Sequence, residues 1–191
     1  VRVPRRPPEW DNLEELVEAA IASYRLPRWR GQKSYVELWV EKDALAGVLE
    51  PLANEAHVTM MVNRGYSSQS AMYEASQRFR RSDLPGILLY LGDHDPSGED
   101  MVRDIQDRLD LFGADVVVRK IALTMAQVEE FDPPPHPAKM PAPRAERYVA
   151  EHGAESWEVD ALPPPVLARL IRAEFRAVIN KRAMDAVKRQ E

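Results

Sequence analysis

We predict an α/β fold with a four-stranded, mainly parallel sheet flanked by helices, because strand-like and helix-like segments alternate along the middle of the chain. Apolar or β-branched runs typical of buried strands occur at residues 35–40, 57–62, 88–91 and 116–121. Apolar residues recur at helical spacing between these runs, at residues 44–53, 69–81 and 98–112. This alternation is typical of parallel βαβ units with right-handed crossovers, as in Rossmann-like folds.

The first strand ends in a charged turn formed by Glu41, Lys42 and Asp43. Asp43 is predicted to be the N-cap of the next helix, because a short carboxylate can accept hydrogen bonds from the free amides of a first helical turn. Ligands of open α/β sheets bind outside the carboxyl ends of the strands. The spacing therefore predicts that Glu41 lies at a ligand-binding edge.

The second strand ends in a turn that contains Arg64 and Gly65. Glycine permits a tight turn here because it lacks a Cβ atom. We interpret Ser67 and Ser68 as caps of the helix predicted over residues 69–81, in preference to a catalytic role. Arg64 is thereby predicted to lie at the same edge of the sheet as Glu41.

The third strand leads into two closely spaced carboxylates, Asp93 and Asp95, within the sequence LLYLGDHDPSG at residues 88–98. Side chains at i and i+2 of an extended segment point the same way, and two such charges repel unless a cation lies between them. Mg²⁺ prefers oxygen ligands and usually keeps several waters. This stretch by itself is compatible with a Mg²⁺ site or with an ordinary polar turn.

Two neighbours of these aspartates are given structural roles. Alternation directs His94 away from Asp93 and Asp95, so we interpret it as a structural residue. Glu99 is an outside candidate ligand, although stabilisation of the first helical turn by its negative charge is the preferred interpretation. Gly113 is predicted to end the helix that begins near Gly98.

The sheet core is predicted to span residues 34–131, with appendages at residues 1–33 and 132–191. The first appendage contains an amphipathic helix over residues 11–24, with its apolar side facing inward: Leu13, Leu16, Val17, Ala20 and Ile21. Residues 132–143 are a Pro-rich loop, interpreted as a rigid connector rather than a lid. Helices are predicted at residues 144–152 and 164–189.

Composition indicates an ordinary globular protein of 191 residues, 45% of them hydrophobic, with no cysteine and no apolar run of the ~20 residues that a membrane helix needs. We expect no membrane partner and a cytoplasmic location. The net charge of −5 argues against tight, independent binding of nucleic acid. Basic residues are nevertheless clustered, and each cluster is either a phosphate contact or a solvated helix face: Arg25, Arg28, Arg30 and Lys33; Arg78, Arg80 and Arg81; Arg169, Arg172, Arg176, Lys181, Arg182, Lys188 and Arg189.

The motif set resembles the Toprim domain, in which Glu follows the first strand, Gly the second and Asp-x-Asp the third. These positions are Glu41, Gly65 and the pair Asp93/Asp95. The motif GDHDPSG at residues 92–98 and the segment SWEVDAL at residues 156–162 are most similar to the A subunit of topoisomerase VI. The chain as a whole is similar to uncharacterised actinobacterial and phage Toprim-like proteins.

The resemblance implies a Mg²⁺ or Mn²⁺ site whose ligands are Glu41, Asp93 and Asp95. The metal would clamp a scissile phosphate. Glu41 is a further ligand or the general acid/base, with a pKa raised by the neighbouring carboxylates. Lys42 and Arg64 are expected to contact phosphate, which makes Glu41, Lys42 and Arg64 the predicted catalytic residues. For Glu158 and Asp160 a second metal site is less favoured than ordinary surface acids.

Nuclease or nicking activity is the preferred activity, because metal-dependent hydrolysis needs only the acidic residues, Mg²⁺ and water. Topoisomerase cleavage needs a nucleophilic tyrosine on a winged-helix domain, and only about 34 residues precede the first strand. We interpret Tyr24 as a packing residue. The alternatives are a topoisomerase VI A-like protein whose tyrosine lies in an upstream domain, and a non-catalytic scaffold. The expected partner is nucleic acid, with DNA preferred, together with a homodimer partner or an upstream DNA-binding domain.

Overall fold

The computed structural model describes residues 7–63, 65, 67–137 and 144–190. Its centre is a four-stranded sheet in the order β2-β1-β3-β4, and every neighbouring pair of strands is parallel. The strands are β1 Tyr35–Val40, β2 Thr59–Val62, β3 Gly86–Leu91 and β4 Val116–Ala122. The predicted α/β architecture with a parallel sheet flanked by helices is confirmed, and it is consistent with a Rossmann-like fold.

Eight α-helices and a pair of two-residue antiparallel strands accompany this sheet in the described part of the chain. The helices are α1 Leu13–Ser23, α2 Asp43–Ala56, α3 Gln69–Arg81, α4 Pro96–Leu111, α5 Met125–Phe131, α6 Arg144–His152, α7 Pro164–Val178 and α8 Lys181–Lys188. The two additional strands, β5 His136–Pro137 and β6 Glu155–Ser156, pair antiparallel. None of the described helices is long and apolar enough to cross a membrane.

The central strands are buried on both faces, as parallel sheets usually are. One apolar cluster joins β1 and β3 to α2 and α7 through residues such as Leu38, Leu89 and Ile171. The second cluster, on the other face, joins the sheet to α3 and α4 through residues such as Trp39 and Ile105. The two layers hold the strands in a fixed register, which fixes where their charged ends lie.

Local sequence signals agree with most helix boundaries. Ser68 caps α3 by accepting from the amide of Ala71, and Gly113 ends α4 in a left-handed conformation with φ of 70°. Asp43 departs from its predicted role as N-cap. The N-cap of α2 is Lys42, and Asp43 is the first helical residue, where its charge favours the positive end of the helix dipole.

Two predictions about the N-terminal appendage are wrong. Helix α1 forms, but its apolar side faces solvent in the single chain and the helix contributes no buried residue. Tyr24 is 56% exposed in the single chain, so it is not packed in the core of its own chain. The Pro-rich loop contains the strand β5, since a proline is tolerated in a short edge strand. Residues 138–143 of that loop lie outside the described residues.

Candidate active site at the carboxyl ends of the strands

The strand register brings Glu41 beside the Asp-x-Asp turn. Val40, the last residue of β1, pairs with Leu91, the last residue of β3. The Glu41 amide donates to the Leu91 carbonyl at 2.8 Å, and Glu41 Oε2 accepts from the Asp93 amide at 3.1 Å. Residues 52 positions apart in sequence are thus joined at the edge where the sequence predicts a ligand site.

Gly92 is the residue that lets the Glu41 side chain lie across this turn. A Cβ atom at Gly92 would lie 2.7 Å from Glu41 Oε2 and 2.6 Å from the Tyr90 ring. Both separations are shorter than van der Waals contact, so a larger residue would displace the carboxylate. The Tyr90 hydroxyl also lies 3.4 Å from Glu41 Oε2. The packing therefore fixes where Glu41 lies relative to the turn.

The side chains of Asp93 and Asp95 each accept a hydrogen bond from a backbone amide. Asp93 Oδ1 accepts from the Val159 amide at 2.8 Å. Asp95 is the N-cap of α4, and its Oδ1 accepts from the Gly98 amide at 2.5 Å. A capping role alone explains Asp95 as well as a ligand role does.

The ionised forms of Glu41 and Asp93 are disfavoured in this structure. Burial raises the pKa of Glu41, and the negative charges of Asp93 and Asp95 raise it further. Burial also raises the pKa of Asp93, and Asp95 adds to that effect. A cation bound among these side chains would relieve the repulsion, which is the electrostatic condition expected of a metal site.

Lys42 lies among carboxylates from two distant segments of the chain. Its ammonium nitrogen is 3.4 Å from Asp93 Oδ1, 3.0 Å from Glu158 Oε2 and 2.8 Å from Asp160 Oδ1. Burial lowers the pKa of Lys42, but the hydrogen bonds to Asp160 and Glu158 outweigh burial and raise it. Lys42 is therefore a charged residue of the site, with carboxylates as its partners in this structure.

Glu158 and Asp160, for which the sequence favoured a role as ordinary surface acids over a second metal site, lie beside Lys42 at this edge. The segment reaches the site because Trp157 pairs with His94 through two backbone hydrogen bonds of 2.8 and 3.0 Å. The two acids lie at the start of a single turn of 3₁₀ helix, Val159–Ala161, rather than in a strand. The alternation of the two acids in the sequence was the available signal.

A second hydrogen-bond network holds the turn that contains Asp93 and Asp95. Lys120 Nζ donates to the Asp93 carbonyl at 2.7 Å and to Glu99 Oε1 at 2.6 Å, while His94 Nδ1 lies 3.0 Å from Glu99 Oε1. Burial alone would raise the pKa of Glu99, but His94 and Lys120 lower it to about 2. Glu99 is thus held in ion pairs, a role beyond the predicted helix-dipole effect. No pattern in the sequence identified Lys120 as its partner.

The structural interpretation of His94 is confirmed. Its side chain is 3% exposed and stacks on Trp157 with ring centroids 5.9 Å apart. Tyr148 donates to the His94 carbonyl at 2.9 Å, so α6 also holds this turn. His94 is a packing residue that fixes the backbone between the two aspartates.

Arg64, the remaining predicted catalytic residue, lies outside the described residues. Its neighbour Gly65 has φ of 65°, the left-handed conformation that favours glycine, as the tight turn requires. Ser67 does not cap a helix; its hydroxyl donates to the Asn63 side chain.

Arginines from two of the basic clusters form ion pairs. Arg78 binds the fully buried Glu37 through Nε and Nη2 at 2.8 and 2.9 Å. Arg169 pairs with Glu130 at 3.4 Å, and Arg172 with Glu55 at 3.7 Å. Arg78 is thus a structural residue, a role that neither alternative in the sequence analysis included.

The donor chemistry of the edge fits a hard cation, since Glu41, Asp93 and Asp95 offer oxygen atoms only. Among the described residues, this conformation contains no group of three or more acidic or histidine side chains that is arranged to hold a metal ion. Comparison of the chain with protein-family models and with curated proteins found no match.

Proposed function

We propose that this chain is a Toprim-type enzyme that cleaves phosphodiester bonds of nucleic acid, with DNA as the first substrate to test, and that it needs Mg²⁺ or Mn²⁺. The observation that carries the proposal is Glu41, a carboxylate with a raised pKa that is hydrogen-bonded to the backbone of Asp93. A raised pKa suits a group that must accept and return a proton near neutral pH.

Each residue has a defined task in this proposal. Asp93 and Asp95 would hold the metal with Glu41 beside them, and the metal would supply positive charge to offset negative charge on the phosphate and the leaving oxygen. Glu41 accepts a proton from the attacking water or hydroxyl. Lys42 exchanges a carboxylate partner for a phosphate oxygen, and Arg64 makes a further phosphate contact. Lys120, Glu99 and His94 keep the turn in position.

A nicking assay on supercoiled plasmid tests the activity directly. Mg²⁺ or Mn²⁺ should support conversion to the open circle, and chelation by EDTA should stop it. Asp93→Asn should lose this activity, because the variant lacks one anionic ligand. Asp107→Asn, an exposed position on α4, is the matched control and should cleave as the parent does. Equal cleavage by Asp93→Asn and the parent would rule out the proposed metal site.

Thermal melting tests the electrostatics of the site without any substrate. The raised pKa of Asp93 means that its protonated form stabilises the fold at acidic pH and that this stability is lost as pH rises through the folded-state pKa. At neutral pH without divalent ions, Asp93→Asn should therefore be more stable than the parent, by up to about 1 kcal/mol. The difference should vanish at acidic pH.

Added Mg²⁺ should raise the melting temperature of the parent and leave that of Asp93→Asn almost unchanged, because ligands that bind only the folded state stabilise it. Asp107→Asn again serves as the control. An equal rise in all three proteins would place any bound Mg²⁺ elsewhere.

A non-catalytic nucleic-acid scaffold is the second candidate function, and one observation favours it. Lys42 already supplies a positive charge to Asp93, Glu158 and Asp160, so part of the acidic cluster is compensated by the protein itself. DNA binding that is unaffected by divalent ions, together with no cleavage under any metal condition, would support the scaffold over the enzyme.

A further inference from the structure

Helix α1 carries an apolar stripe that faces solvent in the single chain. The stripe consists of Leu13, Leu16, Val17, Ile21 and Tyr24, and its most exposed members, Leu13 and Ile21, are 73% and 70% exposed. Helices shorter than about 12–15 residues are only marginally stable alone in water, and α1 has 11 residues. An amphipathic helix of this kind gains its stability by packing its apolar face on another surface.

A surface that fits this stripe lies between α2, α7 and α8. It is a groove of about 490 Å³ whose floor is apolar: Leu52, Ala56, Phe175, Ile179 and Met184. Four basic side chains, Arg172, Arg176, Lys181 and Lys188, lie along its rim together with Glu55 and Asp185. A phosphate backbone makes no use of an apolar floor, whereas the apolar face of a helix fills one.

The charges of the two surfaces are complementary. Residues 9–24 contain five carboxylates and no lysine or arginine: Glu9, Asp11, Glu14, Glu15 and Glu18. The groove rim has the opposite net sign, with four basic and two acidic side chains. Complementary charge around an apolar contact fixes orientation and speeds association. The occupant that the groove selects is therefore an acidic amphipathic helix.

The segment that follows α1 is anchored beside the groove by side-chain hydrogen bonds. Trp29 Nε1 donates to the Ala56 carbonyl at 3.1 Å, and Gln32 exchanges two hydrogen bonds with the backbone of Asn180, so residues 29–32 are fixed beside the groove. Pro27 has a fixed φ and favours an extended residue before it. Helix α1 contributes no buried residue, so in the single chain its apolar side does not fill the groove.

We propose that α1 of each copy packs in the α2/α7/α8 groove of a second copy, so that two chains form a two-fold symmetric dimer by reciprocal exchange of α1. Symmetry makes each contact occur twice, which doubles the apolar area that association buries. The dimer does not depend on the proposed cleavage activity.

Sedimentation equilibrium on the complete chain tests the dimer. Leu13→Gln/Ile21→Gln changes two side chains that are exposed in the single chain, so the fold of the chain is unaffected. This variant should raise the dimer dissociation constant at least about tenfold, since apolar burial is lost in both symmetric contacts. Ala22→Gln adds the same side chain on the opposite face of α1 and should dimerise as the parent does.

A charge exchange tests whether the groove is the surface that α1 contacts. Glu14→Lys/Glu18→Lys should weaken the dimer, as should Arg176→Glu/Lys188→Glu, because each places like charges together. A chain that carries all four substitutions should dimerise again. This rescue distinguishes the groove from any other surface of the protein.

Four outcomes would overturn the proposal. They are a chain that is monomeric at every concentration, a stripe variant that dimerises as well as the parent, absence of rescue by the charge exchange, and protection of the α1 amides from hydrogen exchange that does not depend on protein concentration. The last would show that α1 occupies its own groove. Loss of DNA binding in Arg176→Glu/Lys188→Glu with an unchanged dimer would assign the groove to nucleic acid.

Discussion

Glu41→Gln should reduce the rate of Mg²⁺-dependent cleavage by about 10²–10⁴-fold, the range expected when a general acid or base is removed. Glutamine keeps the size and the hydrogen-bonding oxygen of the side chain, so the contact to the Asp93 amide and the fold are preserved. Binding of uncleaved DNA should remain close to that of the parent, as measured by fluorescence anisotropy beside the plasmid assay.

The pH dependence of cleavage provides an independent measurement. If Glu41 is the base, the rate should rise with pH as its carboxyl group ionises; burial raises the pKa of this group, and a bound cation lowers it. The residual activity of Glu41→Gln should lack that rise. Glu50→Gln, an exposed position on α2, is the control with the same chemical change. A Glu41→Gln protein that cleaves as fast as the parent would refute the proposed mechanism.

Arg78→Met should lower the free energy of unfolding by about 3 kcal/mol, because it leaves the buried carboxylate of Glu37 without its cationic partner. Glu37 is 0% exposed and accepts two hydrogen bonds from Arg78 and one from Trp39. For a domain of this size the loss corresponds to a melting temperature lower by about 6–12 °C. Urea denaturation gives the free-energy difference directly.

Two further variants show whether the buried charge causes this loss. Arg80→Met removes an exposed arginine from the same helix and should change stability by less than about 0.5 kcal/mol. Adding Glu37→Gln to Arg78→Met should recover part of the stability, because the neutral amide still accepts from Trp39 and no longer leaves an unpaired charge. Equal stability of Arg78→Met and Arg80→Met would contradict the structural role of Arg78.

The amino-acid sequence determined the features that depend on neighbours in the chain. Hydrophobic periodicity predicted the four strands and the helices α3 and α4, since burial repeats with the period of each element. The placement of Glu41 near Asp93 and Asp95 was also predictable, because the carboxyl ends of parallel strands meet at one edge of a sheet. Ser68 and Gly113 gave correct helix ends because capping is local.

The tertiary structure decided the pairings between distant residues. Lys42 meets Glu158 and Asp160 more than a hundred positions away, and Arg78 of α3 meets Glu37 of β1. Sequence shows that such residues are charged but not which of them are adjacent, because ion-pair partners follow from the docking of whole elements. The solvent-facing stripe of α1 was hidden for the same reason. Periodicity shows that a helix has an apolar face, while only the packed fold shows whether another element covers that face.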